Sequence, residues 1–162
     1  MTSPWLDSKT PVGPPTSANP TVRQLLYAAI VTGSWSGLAC LLIYLIARLA
    51  GMDFTVTGSV AEALEPVTWL LVLLVPLAFA VVFAMLAALI RGWQHAGRAT
   101  YWVGTAVAVA SLAGPLAQPA AVGWFTRIVL ASMHVVTWFL VVPQIARIIG
   151  DSEPGKSVAR DE

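Results

Sequence analysis

Four long runs of apolar residues, separated by short polar stretches, dominate the pattern of the chain. The runs cover about residues 25–49, 67–90, 100–116 and 124–148. An α-helix needs roughly 17–25 apolar residues to cross the hydrocarbon core of a bilayer, so every run is long enough, the third only just. The pattern predicts an all-α fold, an integral membrane bundle of four transmembrane helices within residues 23–149.

The two ends of the chain differ sharply from this domain. Residues 1–22 are rich in Pro, Ser and Thr, and residues 150–162 are polar with mixed charge. Segments of this composition bury too little apolar surface to offset the entropy lost on ordering. We therefore expect two disordered tails.

The polar stretches between the runs predict the connections. Residues 51–65 hold three acids, and the Ser-Val-Ala-Glu sequence at 59–62 fits a capping box at the start of a short helical turn. The basic stretch 91–98 is so short that it predicts an antiparallel hairpin of the second and third helices. Residues 117–122 are expected to lie along the membrane face.

The distribution of basic residues predicts the orientation. Seven of the nine Lys and Arg residues lie in the 91–98 turn, in the two tails or within three residues of a tail: Lys9, Arg23, Arg91, Arg98, Arg147, Lys156 and Arg160. Cytoplasmic loops are enriched in Lys and Arg, so both termini are expected in the cytoplasm, with the protein in the cell membrane. The aromatic residues expected at the interfaces are Tyr27, Trp93, Tyr101 and Trp102 on the inner side, and Tyr44, Trp69 and Trp124 on the outer side.

Composition narrows the possible functions. Only 10% of the residues are charged, against about 25% in soluble domains, and the net charge is +1 without any basic run, which argues against a nucleic-acid partner. The single cysteine, Cys40, rules out an internal disulfide. No metal-ligand pattern, phosphate-binding glycine loop or catalytic triad occurs, so we expect no enzyme activity, no metal and no cofactor.

The one ionisable residue deep inside a run is His134, ten residues after Trp124. A titratable group at that depth is a candidate functional residue, but a neutral imidazole can also simply hydrogen-bond to another helix. Trp138 lies four residues after His134 and Arg127 seven residues before it, so all three are expected on one inward-facing stripe.

Charged residues gather near the predicted outer surface. Arg48 and Arg127 are expected to form interfacial ion pairs with Asp53, Glu62 and Glu65. The spacing of these carboxylates matches no oxygen-ligand loop, which argues against a cation site. No carboxylate lies within any run, which weakens the case for a proton-coupled carrier.

Small residues and prolines recur along the runs. Stripes of Gly and Ala let helices approach closely, either within one bundle or between subunits. A proline within a helix leaves a carbonyl without its N–H donor and predicts a kink. The stripes comprise Ala29, Gly33 and Gly37; Ala80, Ala84 and Ala88; and Gly104 and Ala108; the predicted kinks lie at Pro76 and Pro143.

Four short motifs carry a resemblance to a known family. They are Gly-Met-Asp-Phe at 51–54, Ser-Leu-Ala-Gly-Pro-Leu at 111–116, Met133-His134 and Val142-Pro143. Together with the four runs, they make residues 23–149 resemble an uncharacterised family of small actinobacterial four-helix membrane proteins. The resemblance implies the fold and implies no activity.

Three functions remain compatible with the sequence. The first is a non-enzymatic accessory or scaffold component that uses the small-residue stripes to bind a membrane-protein partner or a second copy. The second is a small carrier or proton-linked channel, with His134 titrating and Arg127 attracting anions at the entrance. The third is lipid binding in a groove near Trp138 and Trp35, with Trp35 expected in the interior.

Overall fold

The computed structural model describes residues 20–57 and 64–150. The predicted tails, apart from their residues next to the domain, and the capping box at 59–62 lie outside these ranges. Within them, four helical segments are long and apolar enough to cross a membrane. The elements are α1 (Val22–Leu49), β1 (Thr55–Thr57), β2 (Leu64–Pro66), α2 (Trp69–Leu89), α3 (Ala96–Ser111), α4 (Ala113–Leu116) and α5 (Trp124–Gly150).

Threonine side chains fix where two of the long helices begin. The hydroxyl of Thr21 accepts from the amide of Gln24, and the Gln24 side chain accepts in return from the Thr21 amide, which completes a capping box. Thr68 caps α2 in the same way, accepting from the amide of Leu71. The third long helix begins at Ala96 instead of residue 100, so the preceding turn is shorter than predicted.

The long helices pack side by side in the order α2, α1, α5, α3. Helix α1 packs against α2 and α5, whereas α3 packs mainly against α5. The short turn at residues 90–95 joins α2 to α3, as the sequence predicted, but the two helices have few contacts with each other. The hairpin therefore spreads apart, because each of its helices finds its partner elsewhere.

Close approach of α1 and α2 depends on two glycines. A Cβ atom at Gly33 would lie 2.8 Å from the Cβ atom of Ala80, and one at Gly37 would meet the carbonyl oxygen of Leu73. Such distances are shorter than van der Waals contact, so only glycine fits. The small-residue stripe of α1, which includes the buried Ala29, faces α2 within the chain.

A second pair of glycines brings α3 against α5. A Cβ atom at Gly97 would lie 2.6 Å from the Cα atom of Gly150, and one at Gly104 would lie 2.6 Å from Val142 Cγ1. The same added Cβ atom at Gly104 would lie 2.7 Å from Phe83 Cζ, so α2 approaches α3 closely at this level. The sequence predicts Gly97 in the turn, whereas the structure places it in the packed helix α3.

The bundle has two distinct ends. The loop end contains residues 50–57, 64–68 and 117–123, whereas the turn end contains residues 90–95 and both ends of the helical domain. At the loop end, β1 and β2 form an antiparallel pair that is absent from the sequence-based prediction. The alternating Thr-Val-Thr of β1 was the available signal.

Aromatic stacking and hydrogen bonds hold the loop end to the helices. Phe54 is buried, and its ring centroid lies 5.0 Å from that of Tyr44. The Tyr44 hydroxyl donates to the carbonyl of Val67 at 3.1 Å, and the Thr126 hydroxyl donates to the carbonyl of Asp53 at 3.2 Å. Tyr44 therefore packs against the loop and does not stand free at the surface.

Side chains of two further residues lie elsewhere than expected. Trp35 is 66% exposed, so the prediction that it packs in the interior is wrong. Its neighbours Gly33 and Gly37 face α2, which turns Trp35 to the outside of α1. Helices α2 and α5 continue through Pro76 and Pro143, and the predicted kinks there stay predictions.

Candidate functional site

A cleft of about 350 Å³ lies between α2 and α3 in the half of the bundle nearer the loop end. It exists because these helices touch near Gly104 and diverge beyond it. Helix α5 and one residue of α1 form its floor. The lining residues are mostly apolar: Cys40, Val67, Leu71, Val72, Val75, Pro76, Phe79, Val107, Ala108, Ser111, Leu130, Met133, His134, Thr137 and Trp138.

The structure places His134 in the floor of this cleft. Its Nδ1 atom lies 2.8 Å from the carbonyl oxygen of Leu130, one helical turn earlier. A carbonyl can only accept, so Nδ1 carries the hydrogen. In the neutral ring the lone pair is then on Nε2, and no group of the described residues hydrogen-bonds to that atom.

Trp138 lines the cleft one turn further along α5. Its indole N–H donates to the hydroxyl of Thr105 at 3.1 Å, and that hydroxyl donates to the carbonyl of Tyr101 at 2.8 Å. The chain of bonds fixes the indole ring and fastens α5 to α3. His134 and Trp138, which the helical spacing placed on one stripe, do lie together in the cleft.

Beneath the cleft, a small polar cluster joins α1 to α5. The hydroxyl of Ser36 donates to that of Thr137 at 3.0 Å, and Thr137 donates to the carbonyl of Met133 at 2.9 Å. The Cys40 thiol lies 3.6 Å from the same carbonyl. Each group is satisfied, so the cluster is a stable junction between the two helices.

Arg127 lies apart from His134 and Trp138. Its guanidinium donates to the carbonyl of Pro119 at 2.6 Å and to that of Val122 at 3.0 Å, and it lies 5.8 Å from the Trp124 ring centroid. Arg127 has no ion pair with Asp53 or Glu65, the two described acids of the loop, and it bonds to Pro119 and Val122 instead. Arg127 caps the loop before α5 and does not contribute to the cleft.

The other predicted ion pair is present but exposed. Arg48 lies 3.6 Å from Asp53, whose side chain is 93% exposed. Pairs of this kind contribute about 0–1 kcal/mol to stability. Glu62 lies outside the described residues, and within them no three His, Cys, Asp or Glu side chains lie close enough together to hold a metal ion.

Several residues of the cleft are not predicted from the sequence. Ser111 and Thr137 line it, and Ser36 supports Thr137 from below. The only feature that marks these residues in the sequence is a hydroxyl group inside an apolar run. Hydroxyl residues in such runs also occur widely as helix-packing groups, so this feature does not indicate a site. Ala108 was assigned to a packing stripe, and in the structure it forms part of the cleft wall.

The four apolar helices place this chain in the class of multi-pass membrane proteins. It belongs to a family of unknown function, DUF6069, whose model matches residues 20–150. The resemblance to an uncharacterised family is thereby confirmed over nearly the same residues. No curated protein and no solved structure matches the chain.

Proposed function

We propose that the four long helices cross the cell membrane, with the turn end and both termini on the cytoplasmic side. The unequal distribution of basic residues supports this orientation: of the described ones, Arg23, Arg91, Arg98 and Arg147 lie at the turn end, and Arg48 and Arg127 at the loop end. The exposed rings of Trp93 and Trp124 at opposite ends fit two membrane interfaces.

Labelling with a membrane-impermeant maleimide tests this orientation. In intact spheroplasts, we expect the Glu65→Cys variant to be labelled and the Gln94→Cys variant to be labelled only after permeabilisation. The unmodified chain is the blank, because its single cysteine is buried. The reverse pattern would show that the turn end faces outward.

Within this orientation, we propose that the protein binds a lipophilic small molecule that enters the cleft sideways from the bilayer. The cleft itself carries the proposal. Its volume falls within the roughly 300–1,000 Å³ of small-molecule sites, and its walls combine apolar side chains with a few fixed polar groups. The wall residues Val75 and Val107 are also exposed on the outside of the bundle, where lipid would surround them.

The two other hypotheses have less support. The glycines of the small-residue stripes that favoured an accessory role contact helices of the same chain, and Ala29, Ala80 and Ala84 are buried, so most of the stripe surface is not free to bind a partner. A proton-linked carrier would pair His134 with an acid, and no Asp or Glu lies within the described long helices. Both hypotheses remain alternative outcomes of the experiment below.

Site-specific photocrosslinking tests the proposed binding. A benzophenone amino acid at position 107 lies in the cleft wall, whereas one at position 109 lies on the same helix outside the cleft. From the producing membrane, we expect the first variant to capture one defined small molecule. The second is expected to capture only bulk phospholipid.

The result could also contradict the proposal. If both positions capture the same mixture of phospholipids, the cleft has no selective ligand. If position 107 instead captures a stoichiometric foreign protein, the cleft is a subunit interface, and the accessory hypothesis is correct.

A further inference from the structure

The hydrogen-bond donors that line the cleft are all used within the protein. The hydroxyl of Ser111 donates to the carbonyl of Ala108 at 2.7 Å, and that of Thr137 donates to Met133. The indole N–H of Trp138, the Nδ1 hydrogen of His134 and the Cys40 thiol have the partners described above. No side-chain donor of the lining is left for a ligand.

The acceptors, in contrast, are not all used. His134 keeps the lone pair of Nε2, and the Ser111 oxygen keeps its lone pairs because its hydrogen is committed to the backbone. Pro76 has no N–H, so the carbonyl of Val72 lacks its usual donor in the helix. His134, Ser111 and Val72, which carry these acceptors, all line the cleft. The cleft thus presents acceptors and no donors.

We infer that the ligand is an uncharged long-chain lipid alcohol, whose hydroxyl donates a hydrogen bond to Nε2 of His134. This inference rests on the proposed function. A ligand with only carbonyl or ether oxygens would place acceptors against acceptors and lose its hydration without compensation. Anionic headgroups are disfavoured because no Lys or Arg lines the cleft, and the small volume favours one hydrocarbon chain over a two-chain phospholipid.

A competition experiment in nanodiscs tests whether the ligand donates a hydrogen bond to the cleft. The full-length protein is photolabelled with a diazirine derivative of hexadecanol, and peptide mass spectrometry locates the label in the cleft. Unlabelled hexadecanol and hexadecyl methyl ether then compete, because they differ mainly in the hydroxyl hydrogen. We expect the alcohol to compete at about tenfold lower concentration, as one hydrogen bond in an apolar site predicts.

Variants assign the preference to His134. In His134→Phe the alcohol and the ether should compete equally, whereas in His134→Gln, which retains an acceptor oxygen, the alcohol should keep its advantage. A preference that survives in the folded His134→Phe variant would show that another acceptor receives the hydroxyl and would overturn the inference. The comparison in the unmodified protein needs no variant to fold.

The failure of this inference differs from that of the proposed function. If the photolabel is located in the cleft but the alcohol and the ether compete equally in the unmodified protein, the cleft binds lipophilic molecules whether or not they donate a hydrogen bond, and only the inference is wrong. If the photolabel is not located in the cleft, the inference fails, and the proposed function fails as well when position 107 captures no defined small molecule.

Discussion

Replacing Gly37 with alanine is expected to lower the free energy of unfolding by about 1–3 kcal/mol, the usual cost of inserting a methyl group into a packed interface. Alanine alone favours a helix over glycine by about 1 kcal/mol, but here the new methyl group would meet the carbonyl oxygen of Leu73. A carbonyl oxygen belongs to the backbone, so α1 and α2 would have to separate. Unfolding in detergent micelles, followed by circular dichroism, measures the change.

Gly114→Ala is the matched control. A Cβ atom at Gly114 has no neighbour within 4 Å, and this glycine also lies in a helical segment. We expect its unfolding free energy to equal that of the unmodified chain or to exceed it by up to about 1 kcal/mol, because only the helix preference of alanine acts here. Equal stability of the Gly37→Ala and Gly114→Ala variants would show that α1 and α2 do not pack as closely as described.

Ala108→Phe is expected to abolish ligand retention, with at least a tenfold loss of the molecule captured at position 107. Ala108 lies in the α3 wall of the cleft, and a phenyl ring there would occupy the space that the ligand needs. Filling an existing cleft with an apolar group does not remove any contact of the bundle. The unfolding temperature should therefore be unchanged or higher, so a loss of binding would not reflect a loss of structure.

The control for this variant is Ala106→Phe. Ala106 is exposed on α3 and does not line the cleft. Mass spectrometry of the purified variants should find the ligand bound to Ala106→Phe and to the unmodified chain in equal amounts. Retention of the ligand by Ala108→Phe would place the binding site outside the cleft.

The sequence predicts the helices well because each is a long apolar run with a polar boundary. It predicts their pairing only in part. The glycines at 33 and 37 and the alanine stripe of α2 indicate close contacts but not which helices make them. Helix α2 is otherwise apolar on every side, so its hydrophobic pattern does not orient it. The short turn after α2 suggested α3 as a partner, while the contacts of Gly97 and Gly104 placed α3 on α5.

The cleft shows the same limit. His134 stands out in the sequence because a titratable group inside an apolar run is costly, and that cost requires an explanation. Ser111 carries no such cost, so nothing distinguishes it before the helices are in place. Arg127 shares the helical spacing of His134, but spacing fixes only the direction of the Cα–Cβ bond, and the long side chain bends to the carbonyls of residues 119–122.

Helices α2 and α3 approach closely at Phe83 and Gly104 and separate toward the loop end, so this contact acts as a pivot between them. Leu71, at the open end, lies twelve residues from the pivot, which is ~18 Å at 1.5 Å per residue. A rotation of about 5° at the pivot would move that end by about 1.6 Å over this length. Small changes in packing around Gly104 are therefore amplified in the width of the entrance, while Phe83 stays in place.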